Sequence, residues 1–144
     1  MFLVGIAGTA GATPAGTQKA GTAAKAPARA ASVQFQYQIA VHTGTVPGAG
    51  TDGDVWLWLR GTYGDSGWLY LDNSDDNFEN NDTDYFNYTL ADLGTITDAF
   101  VYFRPGGFGP DWYLDTVSVS GAGATVTFPA NRWFSSEGMT HLTP

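Results

Sequence analysis

Acidic, glycine-rich segments are the part of this sequence whose residue types could do chemistry. Of the 12 Asp residues, six fall in three such segments, which are Gly48–Asp54, Asp72–Asn77 and the stretch around Asp111. Calcium takes carboxylate, carbonyl and water oxygens as ligands, and glycine lets backbone carbonyls turn inward. Asp is equally the carboxylate of ordinary turns, where it bonds to its own backbone. Composition alone favours the turn interpretation.

Catalysis has little support in the sequence. His42 extends the first predicted strand and His141 falls in a predicted loose tail, so neither has an evident acidic or nucleophilic partner. No G-x-S-x-G, H-E-x-x-H or phosphate-cradling motif occurs. Paired carboxylates can hydrolyse glycosides, but carboxylates placed in loops suit a metal better. We therefore expect that the protein is not an enzyme.

Length, composition and charge limit the kinds of protein and partner that are possible. A chain of 144 residues indicates one domain. The absence of Cys excludes a disulfide framework and a thiolate metal site. No apolar run approaches the roughly 18 residues of a membrane span. Residues 33–144 hold three Arg and all 14 acidic residues, a net charge of −11. This charge argues against a nucleic-acid partner, which requires a basic surface.

The first 32 residues differ from the rest. They consist mainly of Ala, Gly, Thr, Pro and Lys, which cannot bury enough apolar surface to offset the entropy of ordering. We predict a disordered leader over 1–32. Its start, 1–12, is similar to the apolar core of a secretory signal without the preceding basic stretch. A truncated export signal is the favoured interpretation and a plain flexible leader the alternative, so we expect a secreted monomer.

Period-two alternation begins at Val33. Apolar residues alternate with Gln through Val41, which predicts a half-buried strand. Further strands are predicted near 54–60, 67–72, 84–90, 98–104, 112–120 and 124–128, with a short aromatic piece near Trp133. Turn clusters such as 47–50 and 106–110 separate them. Seven or eight short strands at this spacing predict an all-β antiparallel sandwich.

The order of motifs resembles a known family. Residues 37–61 read YQIAVHTGTVPGAGTDGDVWLWLRG, and the similarity continues through the segments 71–73, 92–94, 111–114 and 132–134. This pattern resembles the PLAT (polycystin, lipoxygenase, alpha-toxin) domain. The resemblance implies an eight-stranded antiparallel β-sandwich over 33–144. It also implies a domain that docks its host onto membranes or protein partners, often with calcium. Here the domain is expected to be a stand-alone member.

The resemblance also implies two sets of calcium ligands. One set would use the carbonyls of Gly48 and Gly50 with Asp111 and the backbone of Trp112. Some members carry an acid where this chain has Gly48, which weakens that set. The second set has two carboxylates and an amide and is the stronger prediction. Its members are Thr51 (through its carbonyl), Asp52, Asp76 and Asn77.

Aromatic residues suggest how such a domain could bind. Phe108 lies in an open Gly-Pro loop beside Asp111, where a ring could enter a lipid interface, or it could fold back on the sandwich. Tyr63 and Trp68 flank another loop and are weaker lipid-binding candidates. Trp112 and Trp133 lie in the family motif and are expected to be structural.

The strand at 54–60 has two distinct faces. Val55, Leu57 and Leu59 share one face, whereas Trp56 and Trp58 share the other and are either covered by a loop or exposed. We therefore expect a non-catalytic, calcium-assisted binding module for lipid surfaces or a protein partner. The rival interpretation is a carbohydrate-binding module that uses an exposed aromatic sheet face.

Overall fold

The computed structural model describes residues 33–107 and 110–144. The predicted leader 1–32 and Phe108 lie outside the described residues, so the export signal, secretion and the lipid-binding tip stay predictions. The described chain forms eight strands, and no helix long and apolar enough to cross a membrane occurs in it. The strands are β1 (Gln34–Thr43), β2 (Asp54–Gly61), β3 (Gly64–Tyr70), β4 (Thr83–Ala91), β5 (Ile96–Arg104), β6 (Trp112–Gly121), β7 (Ala124–Phe134) and β8 (Gly138–Leu142).

Two four-stranded sheets pack face to face. One has the order β4-β1-β6-β7 and the other the order β3-β2-β5-β8. Alternation along each strand produces this arrangement, because every second side chain points into the space between the sheets. Val55, Leu57 and Leu59 in β2 are buried, as predicted. Ile39 and Val41 in β1, a strand of the other sheet, are buried as well. The predicted eight-stranded all-β antiparallel sandwich is confirmed.

Strand direction decides which loops meet. The β1–β2, β3–β4 and β5–β6 connections leave the same end of the sandwich, which we call the acidic end (residues 44–53, 71–82, 105–107 and 110–111). The β2–β3 and β4–β5 turns lie at the opposite end, where Thr62 N donates to Thr95 O at 2.9 Å. All the predicted metal-binding loops therefore lie at the same end of the sandwich.

Trp112 is the largest fully buried side chain. Its ring lies 5.8 Å from Phe103 and 5.5 Å from Phe134, centroid to centroid. Its indole Nε1 donates a 2.9 Å hydrogen bond to Thr43 Oγ1 in β1, so its one polar atom is satisfied within the core. Trp112 thereby joins the two sheets directly beneath the acidic end, in the structural role expected for it.

Four expectations about individual residues or short segments were wrong. The aromatic piece near Trp133 is the end of β7, and the predicted loose tail contains β8. Trp133 is 43% exposed and lies edge-on to Tyr113, so it is a surface ring. His141 Nε2 lies 2.7 Å from Asp98 Oδ1, and His42 Nε2 lies 3.6 Å from an Asp115 oxygen. These acidic partners escaped notice because cross-strand pairing brings together residues that are distant in sequence.

The contrast between two tryptophans gives a stability test. Trp112→Ala removes a buried ring and leaves a cavity, so unfolding free energy should fall by about 3–5 kcal/mol. Trp133→Ala removes a half-exposed ring and should cost under about 1 kcal/mol. Urea unfolding followed by circular dichroism measures both. Equal losses would contradict the place given to Trp112 in the core.

Candidate metal site

Thr51 ties the three loops of the acidic end together. Its backbone N donates to Phe78 O at 3.0 Å, which joins the first loop to the second. Its hydroxyl donates to Pro110 O at 3.1 Å, which joins the first loop to the third, and accepts from Gly53 N at 3.0 Å. Thr51 is buried, so these bonds are shielded from water. The loop positions are therefore fixed relative to one another.

Phe78 anchors the second loop in the core. Its ring is buried 5.2 Å from the Trp112 ring and 5.9 Å from Phe86. Its backbone N donates a 2.7 Å hydrogen bond to the buried carboxylate of Asp84. The φ of Phe78 is +63°, a conformation that is unfavourable for a bulky residue unless its surroundings hold it there. The residues on either side of Phe78 are thereby held in place.

Two carboxylates, those of Asp76 and Glu79, lie close to Phe78 on either side of it in the sequence. Oxygens from Asp52, Asp76 and Glu79 all lie within 4.8 Å of one another. The pKa of Glu79 is raised, first by partial burial and then by the negative charges of Asp76 and Asp52. Three carboxylates this close repel one another when ionised, and a bound cation would relieve that repulsion.

Two glycines allow the loops to come this close. A Cβ on Gly107 would lie 2.7 Å from Asp52 Cβ, and φ there is +66°. A Cβ on Gly50 would lie 3.0 Å from Phe78 O. Larger residues at either position would push apart the segments that carry the carboxylates.

The donor set fits calcium. Every side-chain ligand offered is an oxygen, which a hard cation such as calcium prefers. Asn77 Oδ1 is buried and accepts no hydrogen bond from any residue in the described ranges, although Asn77 Nδ2 donates to Asp72 at 3.4 Å. Buried carbonyl oxygens without a partner are rare, and a cation would satisfy this one. Asp52, Asp76, Glu79 and Asn77 would hold the ion.

The structure brings together only part of the predicted ligand sets. Asp52 and Asp76 converge as predicted, but Glu79 is an additional member that sequence reasoning missed. Its signal was present, because Glu79 follows Asp76 and Asn77 across the single apolar residue Phe78. A residue that anchors a loop this way fixes the neighbours on both sides. The Thr51 carbonyl stays a prediction as a ligand.

The other predicted ligand set lies on adjoining segments. Tyr113 N donates to Ala49 O at 2.9 Å, which places the loop of Gly48 and Gly50 beside the start of β6. Asp111 and Trp112 immediately precede Tyr113. Within the described ranges, however, Asp111 belongs to no group of three His, Asp or Glu side chains close enough to share an ion. This set stays a prediction.

Two of the predicted lipid-binding residues, Tyr63 and Trp68, lie apart from these loops. Tyr63 is 75% exposed in the β2–β3 turn, at the end opposite the acidic end. Trp68 lies within β3 and is 44% exposed. Val46, which sequence reasoning overlooked, is an exposed apolar residue of the acidic end itself, with 37% exposure.

The comparison with known proteins identifies the family. Residues 37–143 match the family model of the PLAT/LH2 domain. The chain belongs to the PLAT/LH2 domain family. Lipoxygenase homology domain-containing protein 1 of Mus musculus is 38% identical over 102 residues, which cover 69% of this chain and 5% of that protein. This PLAT domain thus spans a small fraction of the curated relatives that it matches.

Solved structures agree with this assignment. Coral 8R-lipoxygenase, for which calcium activation through a C2-like domain is described, superposes with a TM-score of 0.68 at 26% identity. The match covers 76% of this chain and 17% of that one. A calcium-dependent 11R-lipoxygenase superposes with a TM-score of 0.60 at 28% identity, covering the same shares of the two chains.

Calcium should stabilise the chelator-treated protein through this cluster. A ligand at 100 times its Kd adds about 2.7 kcal/mol to the unfolding free energy, which thermal melts detect as a higher Tm. Asp76→Asn should abolish most of the calcium-induced shift. Asp65→Asn, the same change at an exposed Asp at the start of β3, should leave the shift intact. An undiminished shift in Asp76→Asn would contradict the assignment.

Substitution of Glu79 should change Tm in opposite directions with and without calcium. A carboxyl with a raised folded-state pKa binds its proton more tightly in the folded state. Its ionisation therefore destabilises the fold once the pH rises above the unfolded value of about 4.3. At pH 7 without calcium, Glu79→Gln should raise Tm, and the gain should vanish near pH 4. With saturating calcium, the same substitution should lower Tm. Destabilisation of equal size with and without calcium would count against a metal role.

Proposed function

We propose that this PLAT domain is a non-catalytic, calcium-assisted binding module that docks onto a lipid surface through its acidic end. The observation that carries the proposal is the convergence of Asp52, Asp76 and Glu79. The residue that follows Asp76 in the sequence, Asn77, has a buried side-chain oxygen that accepts no hydrogen bond within the described ranges. The calcium-dependent lipoxygenases that share the fold support it.

Electrostatics explains why the docking would need the ion. Residues 33–144 carry a net charge of −11, so the domain is repelled by the anionic headgroups of a membrane surface. Bound calcium supplies positive charge at the acidic end and open coordination positions for phosphate oxygens. The carboxylates hold the ion at the tip of the sandwich, and the remainder of the domain stays in water.

Val46 supplies apolar contact at the same end. Its carbonyl accepts from Ala49 N at 3.1 Å and from Asn80 Nδ2 at 3.3 Å, which fixes the backbone of its turn. The exposed side chain can therefore enter the interface without the loop having to order first. Phe108, on the third loop, is the predicted second apolar contact.

A non-catalytic role agrees with the surroundings of His42. His42 Nδ1 lies 3.0 Å from the Thr83 hydroxyl, but its other nitrogen lies 3.6 Å from Asp115. That distance is too long for a hydrogen bond, so the carboxylate does not hold the ring as it holds a catalytic base. His141 does contact a carboxylate, since its Nε2 lies 2.7 Å from Asp98 Oδ1, and it stacks on Phe100; this contact joins β8 to β5 on the outer face of the sheet.

Vesicle co-sedimentation tests the proposal. The protein should bind vesicles of mixed phosphatidylcholine and phosphatidylserine with calcium and release them with chelator. Val46→Asp should weaken binding by about tenfold or more, because a charge must then enter the interface. Tyr63→Asp, at the opposite end, is the matched control and should bind normally. Calcium-induced stabilisation without vesicle binding would contradict a lipid target and favour a protein surface.

A further inference from the structure

The outer face of the sheet β3-β2-β5-β8 carries two rows of large side chains. Strand register aligns the first row across all four strands as Tyr70, Trp56, Tyr102 and Met139. The second row, two residues further along, contains Trp68, Trp58, Phe100 and His141. We call these rows the aromatic face. It holds three of the five Trp in the sequence.

The rings hold one another in place. Trp56 lies 5.0 Å from Tyr70 and 5.7 Å from Tyr102, and Trp68 lies 5.4 Å from Trp58 and 6.1 Å from Tyr102. These separations are those of favourable aromatic pairs. A ligand that lands on rings already fixed by their neighbours loses little side-chain entropy in ordering them.

Charged residues of both signs border the aromatic face on both sides. At one border, Arg104 contacts Asp54 at 2.7 Å and lies over the Trp56 ring at 5.0 Å, and Tyr70 donates to the same Asp54. At the other border, Arg60 lies 4.9 Å from the centre of the Phe100 ring, next to Asp98 in the register. The borders thus offer both hydrogen-bond donors and acceptors, and the Tyr102 hydroxyl of the first row also donates to Glu137.

The other sheet has a different outer face. Cross-strand contacts there include polar pairs such as Gln36 with Thr89 at 2.7 Å and Ser118 with Thr127 at 2.9 Å, beside the aromatic pair Tyr113 and Trp133. Outward positions of a sandwich need only be polar. The aromatic face is therefore not a requirement of the fold.

Its size favours a small occupant. Four strands and four rows of side chains, borders included, span about 14 by 20 Å, or roughly 300 Å². Stable protein interfaces bury about 800 Å² on each partner, so a second copy of this chain would gain too little contact. A bilayer would have to strip water from both charged borders without replacing its hydrogen bonds.

We propose that the aromatic face binds an uncharged oligosaccharide. The C–H faces of sugar rings would pack on the tryptophan and tyrosine rings. The hydroxyl groups would donate to Asp54 and Asp98 and accept from Arg104 and Arg60, replacing the water at the borders. Borders that carry both donors and acceptors suit an uncharged ligand that itself both donates and accepts. This site is separate from the acidic end, so it does not rest on the proposed function.

Pull-down on insoluble cellulose and chitin and affinity electrophoresis in soluble xylan and β-glucan would test the proposal with the full chain. The protein should bind at least one of these four glycans, equally well in calcium and in chelator. Binding should shift the tryptophan emission to shorter wavelength, because the rings lose contact with water. If no glycan binds, the proposal is overturned.

Variants then locate the site. Trp68→Ala and Tyr70→Ala should each weaken glycan binding by about tenfold or more, as removal of an aromatic anchor does. Trp133→Ala, a ring of nearly equal exposure on the other sheet, is the control and should bind normally. Melting curves establish that each variant is folded. Unchanged glycan binding in both Trp68→Ala and Tyr70→Ala would overturn the proposal. It would also be overturned if these two variants lost vesicle binding but still bound the glycan.

Discussion

The insertion of one phenylalanine ring into the core is the constraint on which the acidic end depends. Phe78 packs beneath Trp112, and its carbonyl and its amide are bonded to Thr51 and Asp84. These contacts connect the second loop to the first loop, to β4 and to the start of β6. Asp76 and Glu79, on either side of Phe78, are exposed and repel each other when ionised, and they would separate in a free loop. Burial of the ring holds them together.

This arrangement divides stability and binding between neighbouring residues. The buried side chains beneath the acidic end are mainly aromatic, with Thr43, Thr51 and Asp84 as hydrogen-bonded polar members, whereas Asp76 and Glu79 face water. A sandwich suits this division because its loops can carry charge that its sheets could not bury. The aromatic face uses a second feature of the same fold, namely the side of a sheet that does not pack on the core. One small domain thereby offers two chemically distinct surfaces.

The sequence predicted the parts of the fold that local periodicity determines. Alternation fixed the inward positions Val55, Leu57 and Leu59, and it left open whether Trp56 and Trp58 are covered or exposed. The structure shows them half-buried among rings from neighbouring strands. Strand β8 was missed because it has only five residues. The partners of His42 and His141, and the convergence of Asp52 with Glu79, depend on strand order and loop closure, which a single sequence does not specify.

The most direct test of the account is a crystal structure grown with calcium, with the ion located by anomalous scattering. The account predicts a peak at the acidic end, at about 2.3–2.6 Å from oxygens of Asp52, Asp76 and Glu79, with Asn77 Oδ1 turned towards it. No peak there at millimolar calcium, or a peak that excludes both Asp76 and Glu79, would contradict it.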